Sequence, residues 1–123
     1  MLQQSRRLRK SREIERVYRQ GRFGAAGSLH VKALVLPGPA TRVAVVVAKK
    51  ISKKAVVRNR IRRRLLEIIA QHWATLRPGC AIVVTVRAEV SELKQAELER
   101  SLLAALAKAG ATLPAAPKGT IHV

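Results

Sequence analysis

Residues 54–76, "KAVVRNRIRRRLLEIIAQHWATL", constrain the fold of this chain more than any other stretch. Val57, Ile61, Leu65, Ile68, Ile69 and His72 fall within one arc of roughly 120° on a wheel of about 100° per residue. The spacing predicts a helix that buries this arc, ends near Leu76 and is closed by "RPG". The rest of the circumference cannot be buried, because it carries Arg58, Arg60, Arg62, Arg63 and Arg64. Nine Lys or Arg residues lie between Lys49 and Arg64, and the first acid to follow is Glu67. Arg58 with Arg62 and Arg60 with Arg64 are like-charge pairs at i,i+4, each costing on the order of 0.2–0.5 kcal/mol. A helix selected only for stability would alternate signs, so a solvated charged face is a poor account of this one.

The imbalance extends beyond the helix. Net charge is +18 over 123 residues, there is no Asp, and no acid occurs from Arg16 through Leu66. Five of the seven glutamates fall at or after Glu67, which concentrates the positive field on the N-terminal half. Long polyanions are the expected partners, nucleic acid first among them. With 48% apolar and 26% charged residues the chain has the composition of one folded domain, not of a disordered basic tail. Cys80 is the sole cysteine, which rules out an internal disulfide and fits a reducing compartment. No apolar run approaches the roughly 18 residues of a membrane span, and no signal-type hydrophobic stretch opens the chain, so a cytoplasmic location without membrane contact is expected.

Around the basic helix the sequence predicts a basic, partly flexible arm over 1–10 and a single domain over 11–110. Ser11 stands as an N-cap before "REIERVYRQG", a short amphipathic helix stopped by Gly21. "SLHVKALVL" (28–36) and "TRVAVVVA" (41–48), joined by "PGPA", read as an antiparallel hairpin, with Phe23 anchoring the loop before it. "AIVVTVR" (81–87) is a third strand, and a last helix begins after Ser91 as cap and stops at Gly110. Leu98, Leu102, Leu106 and Ala109 give that helix its buried stripe, while Glu92, Glu97 and Glu99 form a solvated face. Residues 111–123 are expected to be a flexible tail. The order α-β-β-α-β-α implies an α+β sandwich with helices covering one sheet face and the other left open. Trp73, Cys80 and His72 take structural roles.

Arginine, with no lysine between Arg58 and Arg64, favours bidentate contact with phosphate over diffuse attraction to a membrane surface. Lys49, Lys50, Lys53 and Lys54 precede the helix, whose N-terminal dipole adds attraction for an anion. Asn59 has two readings: a turn-competent residue at the helix start, or a hydrogen-bonding head for a sugar or base edge.

"VAKK" followed by "RNRIRRRLLE" resembles the signature of the protein component of bacterial ribonuclease P, an R-N-R-I-K-R helix preceded by a K-K pair. Arg62 stands at the usual Lys and keeps the charge. "RLRKSREIERVYRQGRF", "IVVTVR" and the final helix are also similar, so the resemblance spans roughly residues 7 to 109. It implies a small two-layer sandwich like the second domain of ribosomal protein S5, with a left-handed crossover around the basic helix. The general preference for right-handed crossovers points the other way, so that hand rests on the resemblance alone.

The resemblance further implies a monomer that partners one catalytic RNA and assists removal of the 5′ leader from precursor tRNA. Magnesium would be held mainly by the RNA, with no protein catalytic residue and no metal site on the protein. Lys49, Lys50, Lys53, Lys54, Arg58, Asn59, Arg60, Arg62 and Arg63 would face the catalytic RNA. Ile14, Tyr18, Lys32 and Val45 would line the leader cleft between the first helix and the open sheet face. Ile14 stands where the family often has an aromatic, so leader contacts should rest more on aliphatic packing and charge than on stacking. Tyr18 is equally readable as a core-edge residue. A ribosomal-type structural RNA binder without the cleft is the alternative. A stand-alone two-metal nuclease would need clustered carboxylates, which the basic half lacks.

Overall fold

A computed structural model describes residues 3–113. In chain order its elements are α1 (Ser11–Gln20), β1 (Arg22–Ala26), β2 (Leu29–Val35), β3 (Arg42–Val46), α2 (Ala55–Gln71), β4 (Cys80–Val86) and α3 (Gln95–Lys108). Single 3₁₀ turns occur at Gln4–Arg6 and Trp73–Thr75. The expected mixed order holds, with β1 added. "RFGAA" had no strand signal because Gly and two Ala give it little β propensity. Phe23 is therefore a strand residue and not a loop anchor.

The sheet order is β1-β2-β4-β3, with β4 antiparallel to β2 and parallel to β3. This corrects the expected hairpin, since β4 lies between its two arms. The reason is burial: six of the seven β4 residues are buried, whichever face they point to, so this strand belongs at the centre. The parallel pair needs a crossover, and α2 supplies it.

Alternation along the strands sends Leu29, Val31, Val43, Val45, Ile82 and Val84 into one core with Ile61, Leu65, Ile68 and Ile69 of α2 and Leu98, Leu102 and Leu106 of α3. Cys80, fully buried in the same cluster, has its thiol pKa pushed up by burial. His72 at the end of α2 bonds Glu99 of α3 through Nε2 and Oε2 at 2.5 Å, so Glu99 is an interhelix partner and not part of a solvated face. The last helix starts at Gln95 after Lys94, not at Ser91. At the other end of the chain, α1 begins with Ser11 itself and its N-cap is Lys10.

The helices do not all cover one face. α1 lies on the opposite side, where Val17, Leu8, Ala44, Ala81 and Val83 form a smaller cluster. The basic arm is docked there: Leu8 is buried, its N–H donates to the Val43 carbonyl at 2.8 Å, and Arg7 bridges Val43 in parallel. At the C-terminal end Ala111 is buried and Thr112 bridges Leu76, while 114–123 of the expected tail lie outside the described residues.

Candidate nucleic-acid interface

Burial of the arc from Ile61 to Ile69 fixes which way α2 turns its polar side. Asn59, Arg60 and Arg63 are exposed and Arg62 is half-buried. Lys49, Lys50, Lys53 and Lys54 are exposed in the connection from β3. That connection is shaped by a bond from Ile51 N–H to the Ala48 carbonyl (3.0 Å) and another from Lys54 N–H to Ser52 Oγ (3.2 Å). All nine residues expected to face the catalytic RNA thus lie on one loop and the first turns of one helix. No side chain caps α2 at Lys54, so its first-turn N–H groups add to the field attracting an anion.

The arginines differ in freedom. Arg64 is occupied: Nε donates to Gln95 Oε1 at 2.9 Å and Nη2 to the Leu93 carbonyl at 2.6 Å. It clamps the segment before α3, although sequence reasoning grouped it with the basic face. Arg58 holds the preceding loop, donating from Nη1 to the Ser52 carbonyl at 2.8 Å. Arg62 Nη1 donates to Asn59 Oδ1 at 2.6 Å, so Asn59 is a side-chain partner on the helix surface, not a turn residue. Among the described residues the acidic side chains with a basic partner are Glu13, paired with Arg42, and Glu99, bonded to His72, and neither contact touches the basic patch.

On the opposite sheet face α1 stands as a wall. It fully buries only Val17. Three polar tethers reach three different strands. Tyr18 Oη bonds Thr85 Oγ1 of β4 at 3.0 Å, and Lys32 Nζ of β2 donates to the Tyr18 carbonyl at 2.9 Å. Arg42 of β3 grips both carboxylate oxygens of Glu13 at 3.1 and 2.9 Å. The Arg42 guanidinium, chiefly through those hydrogen bonds, holds the Glu13 carboxyl below its usual range.

The wall divides the face into two hollows. One is lined by Tyr18, Phe23, His30, Lys32, Thr85 and Arg87. Here Phe23 is 50% exposed and meets His30 edge-on at 5.1 Å, and Lys32 Nζ lies 6.0 Å from the Phe23 ring centre. The other runs between Ile14, the β3 backbone, Arg7 and Arg9 toward Arg62 of α2. The four residues expected in one cleft are therefore not together. Tyr18 and Lys32 share the first hollow, and Ile14 and Val45 line the second. Val45 turns its side chain into the main core opposite Val84, while Ala44 and Val46 face α1. A one-residue difference in strand parity accounts for this. Phe23, His30, Arg87 and Arg7 were missed. Only the pairing of Phe23 with Lys32 places its ring on the open face, and it brings a second aromatic to a surface expected to have one.

The family model described as Ribonuclease P matches residues 2–110. A ribonuclease P protein component from Pseudanabaena sp. is 39% identical over 110 residues, covering 89% of this chain and 95% of that one. One from Thermus scotoductus is 43% identical over 103 residues, covering 84% of this chain and 59% of its own. Among solved structures, the Staphylococcus aureus RNase P protein superposes with a TM-score of 0.79 at 23% identity, over 89% of this chain and all of that one. The Thermotoga maritima RNase P protein does so with a TM-score of 0.72 at 25% identity, over 79% of this chain and 91% of that one. A match over nearly the whole length, on a scaffold that gathers the Arg-Asn-Arg helix and its lysine loop on one face, makes this chain a member of the ribonuclease P protein family.

Proposed function

We propose that this chain is the protein subunit of ribonuclease P: it binds the catalytic RNA through α2 and the Lys49–Lys54 loop, and the 5′ leader of precursor tRNA beside α1. In this role it assists endonucleolytic release of the mature tRNA 5′ end, as one protein with one RNA. The observation that carries the reading is a pair of basic surfaces, one on α2 and its preceding loop and the other a hollow beside α1 over β1, β2 and β4. One presents guanidiniums that form none of the described ion pairs, and the other sets Tyr18 and Phe23 among Lys32 and Arg87. Guanidinium forks suit a folded RNA backbone, and aromatic faces among cations suit unpaired bases.

The RNA supplies the chemistry and holds the magnesium. Among the described residues no three His, Cys, Asp or Glu side chains converge to ligate an ion. No described helix is long and apolar enough to cross a membrane.

Reconstitution tests the reading. Precursor tRNA cleavage by the cognate catalytic RNA at low magnesium should rise sharply when this chain is added. Absence of stimulation, with RNA binding retained, would favour the ribosomal-type alternative; cleavage by the protein alone would mean a nuclease. If about six phosphates are neutralised, log K for the catalytic RNA should fall against log salt with a slope of roughly −4 to −5.

A further inference from the structure

We infer that the N-terminal arm is part of the RNA-binding surface, with Arg7 completing a phosphodiester site whose other members, Asn59, Arg62 and Arg63, come from α2. The inference rests on the proposed RNA-binding role of α2 and adds a residue that the Arg-Asn-Arg signature does not contain.

Arg7, Asn59, Arg62, Arg63 and Leu66 line one groove of about 200 Å³. That is below the roughly 300 Å³ at which pockets for drug-sized ligands begin, and it suits a backbone segment better than a whole cofactor. Three guanidiniums converge on it and no carboxylate does, so the empty groove is self-repelling and an anion relieves the repulsion. Arg62 occupies Asn59 Oδ1, which leaves the Asn59 amide nitrogen as a donor. Leu66 adds an apolar floor. Guanidinium forks for a phosphate, an amide donor for a sugar oxygen and an apolar surface for the ribose together match one step of RNA backbone.

Arg7 reaches this groove because the arm is held at three successive residues. The Arg6 guanidinium stacks over the Trp73 ring with 4.6 Å to its centroid, Arg7 itself pairs with Val43, and Leu8 is buried. The arm therefore extends the β3 edge, and alternation aims Arg7 toward α2 while Leu8 enters the cluster under α1. Trp73 has no place in the groove and acts on it only by positioning the arm.

The test is the affinity of the full chain for its cognate catalytic RNA, measured against salt, for Arg7→Gln, Arg7→Lys, Arg12→Gln and Arg60→Gln. Arg12 is exposed on α1 and controls for loss of one charge at a distance. Arg7→Gln should weaken binding about tenfold and flatten the salt slope by roughly 1, with Arg7→Lys intermediate and Arg12→Gln near wild type. If Arg60→Gln weakens binding while Arg7→Gln matches Arg12→Gln, the arm has no phosphate contact and this inference alone falls. If neither Arg60→Gln nor Arg7→Gln has an effect, the RNA-binding role of α2 falls with it.

Discussion

Glu13 and Arg42 form a two-pronged ion pair, at 3.1 and 2.9 Å, that ties α1 to β3. Glu13→Gln should cost about 0.5–1 kcal/mol at neutral pH, the range for a partly exposed bidentate pair. Because folding lowers the Glu13 pKa, its contribution is complete above the unfolded value near 4.3 and disappears as pH falls through the lowered folded value. Melting curves of wild type and Glu13→Gln should therefore differ at pH 7 and converge in acid. Divergence that persists at pH 2 would mean that the pair does not tether α1.

Neighbouring arginines on α2 should separate into structural and RNA-facing kinds. Arg64→Ala removes charge-assisted bonds to Gln95 and the Leu93 carbonyl and should cost about 1.5–3 kcal/mol in denaturant unfolding. Arg60→Gln should leave stability unchanged or slightly raised, by relieving like-charge repulsion, while weakening RNA binding. Equal stability losses for both would remove the distinction.

Gly24 is where α3 meets β1. A Cβ there would stand 2.4 Å from the Ala109 nitrogen and 2.5 Å from the Ala105 oxygen, both backbone atoms that cannot turn away. Gly24→Ala should destabilise by about 3 kcal/mol or more, read as a lowered denaturant midpoint. A near-neutral result would show that α3 can shift freely on the sheet.

Tyr18 belongs both to the fold and to the proposed leader hollow, and two substitutions separate the roles. Tyr18→Phe loses only the bond to Thr85 and should cost about 0.5–1.5 kcal/mol of stability. Tyr18→Ala should also reduce the preference for substrates with a leader by roughly 5- to 100-fold, as expected for one lost stacking partner. Catalytic-RNA affinity should hold in both. Parallel loss of leader preference and RNA affinity would count against a leader-specific role for Tyr18.

The basic surface was legible because its parts are close in the chain. A helical period of apolar residues through Ile61 and Leu65 sets which side of α2 is buried, and the charges on the remaining circumference follow without reference to any distant residue. The third strand, the last helix with its leucine stripe, and the mixed α+β class were readable for the same reason: each depends on local period and propensity. The lysines of the loop and the arginines of the first turns of α2 were readable as one basic surface, whereas the occupied state of Arg64 was hidden, since its partners lie at and just before the start of α3.

What depended on pairing across the sheet was decided only by the tertiary structure. The turn residues between β2 and β3 suggested a hairpin, yet burial of both faces of β4 draws that strand between them. Register then determines that Val45 enters the core while Phe23 joins Lys32 on the open face, an alternation that reverses with a one-residue change in pairing. The arm carried no periodicity, and it is held by Leu8 and by the stack of Arg6 on Trp73, contacts that bring Arg7 beside Arg62. Local patterns determined the charge and the face that bears it; long-range packing determined which distant side chains share that face, because such neighbours are chosen by burial and not by spacing.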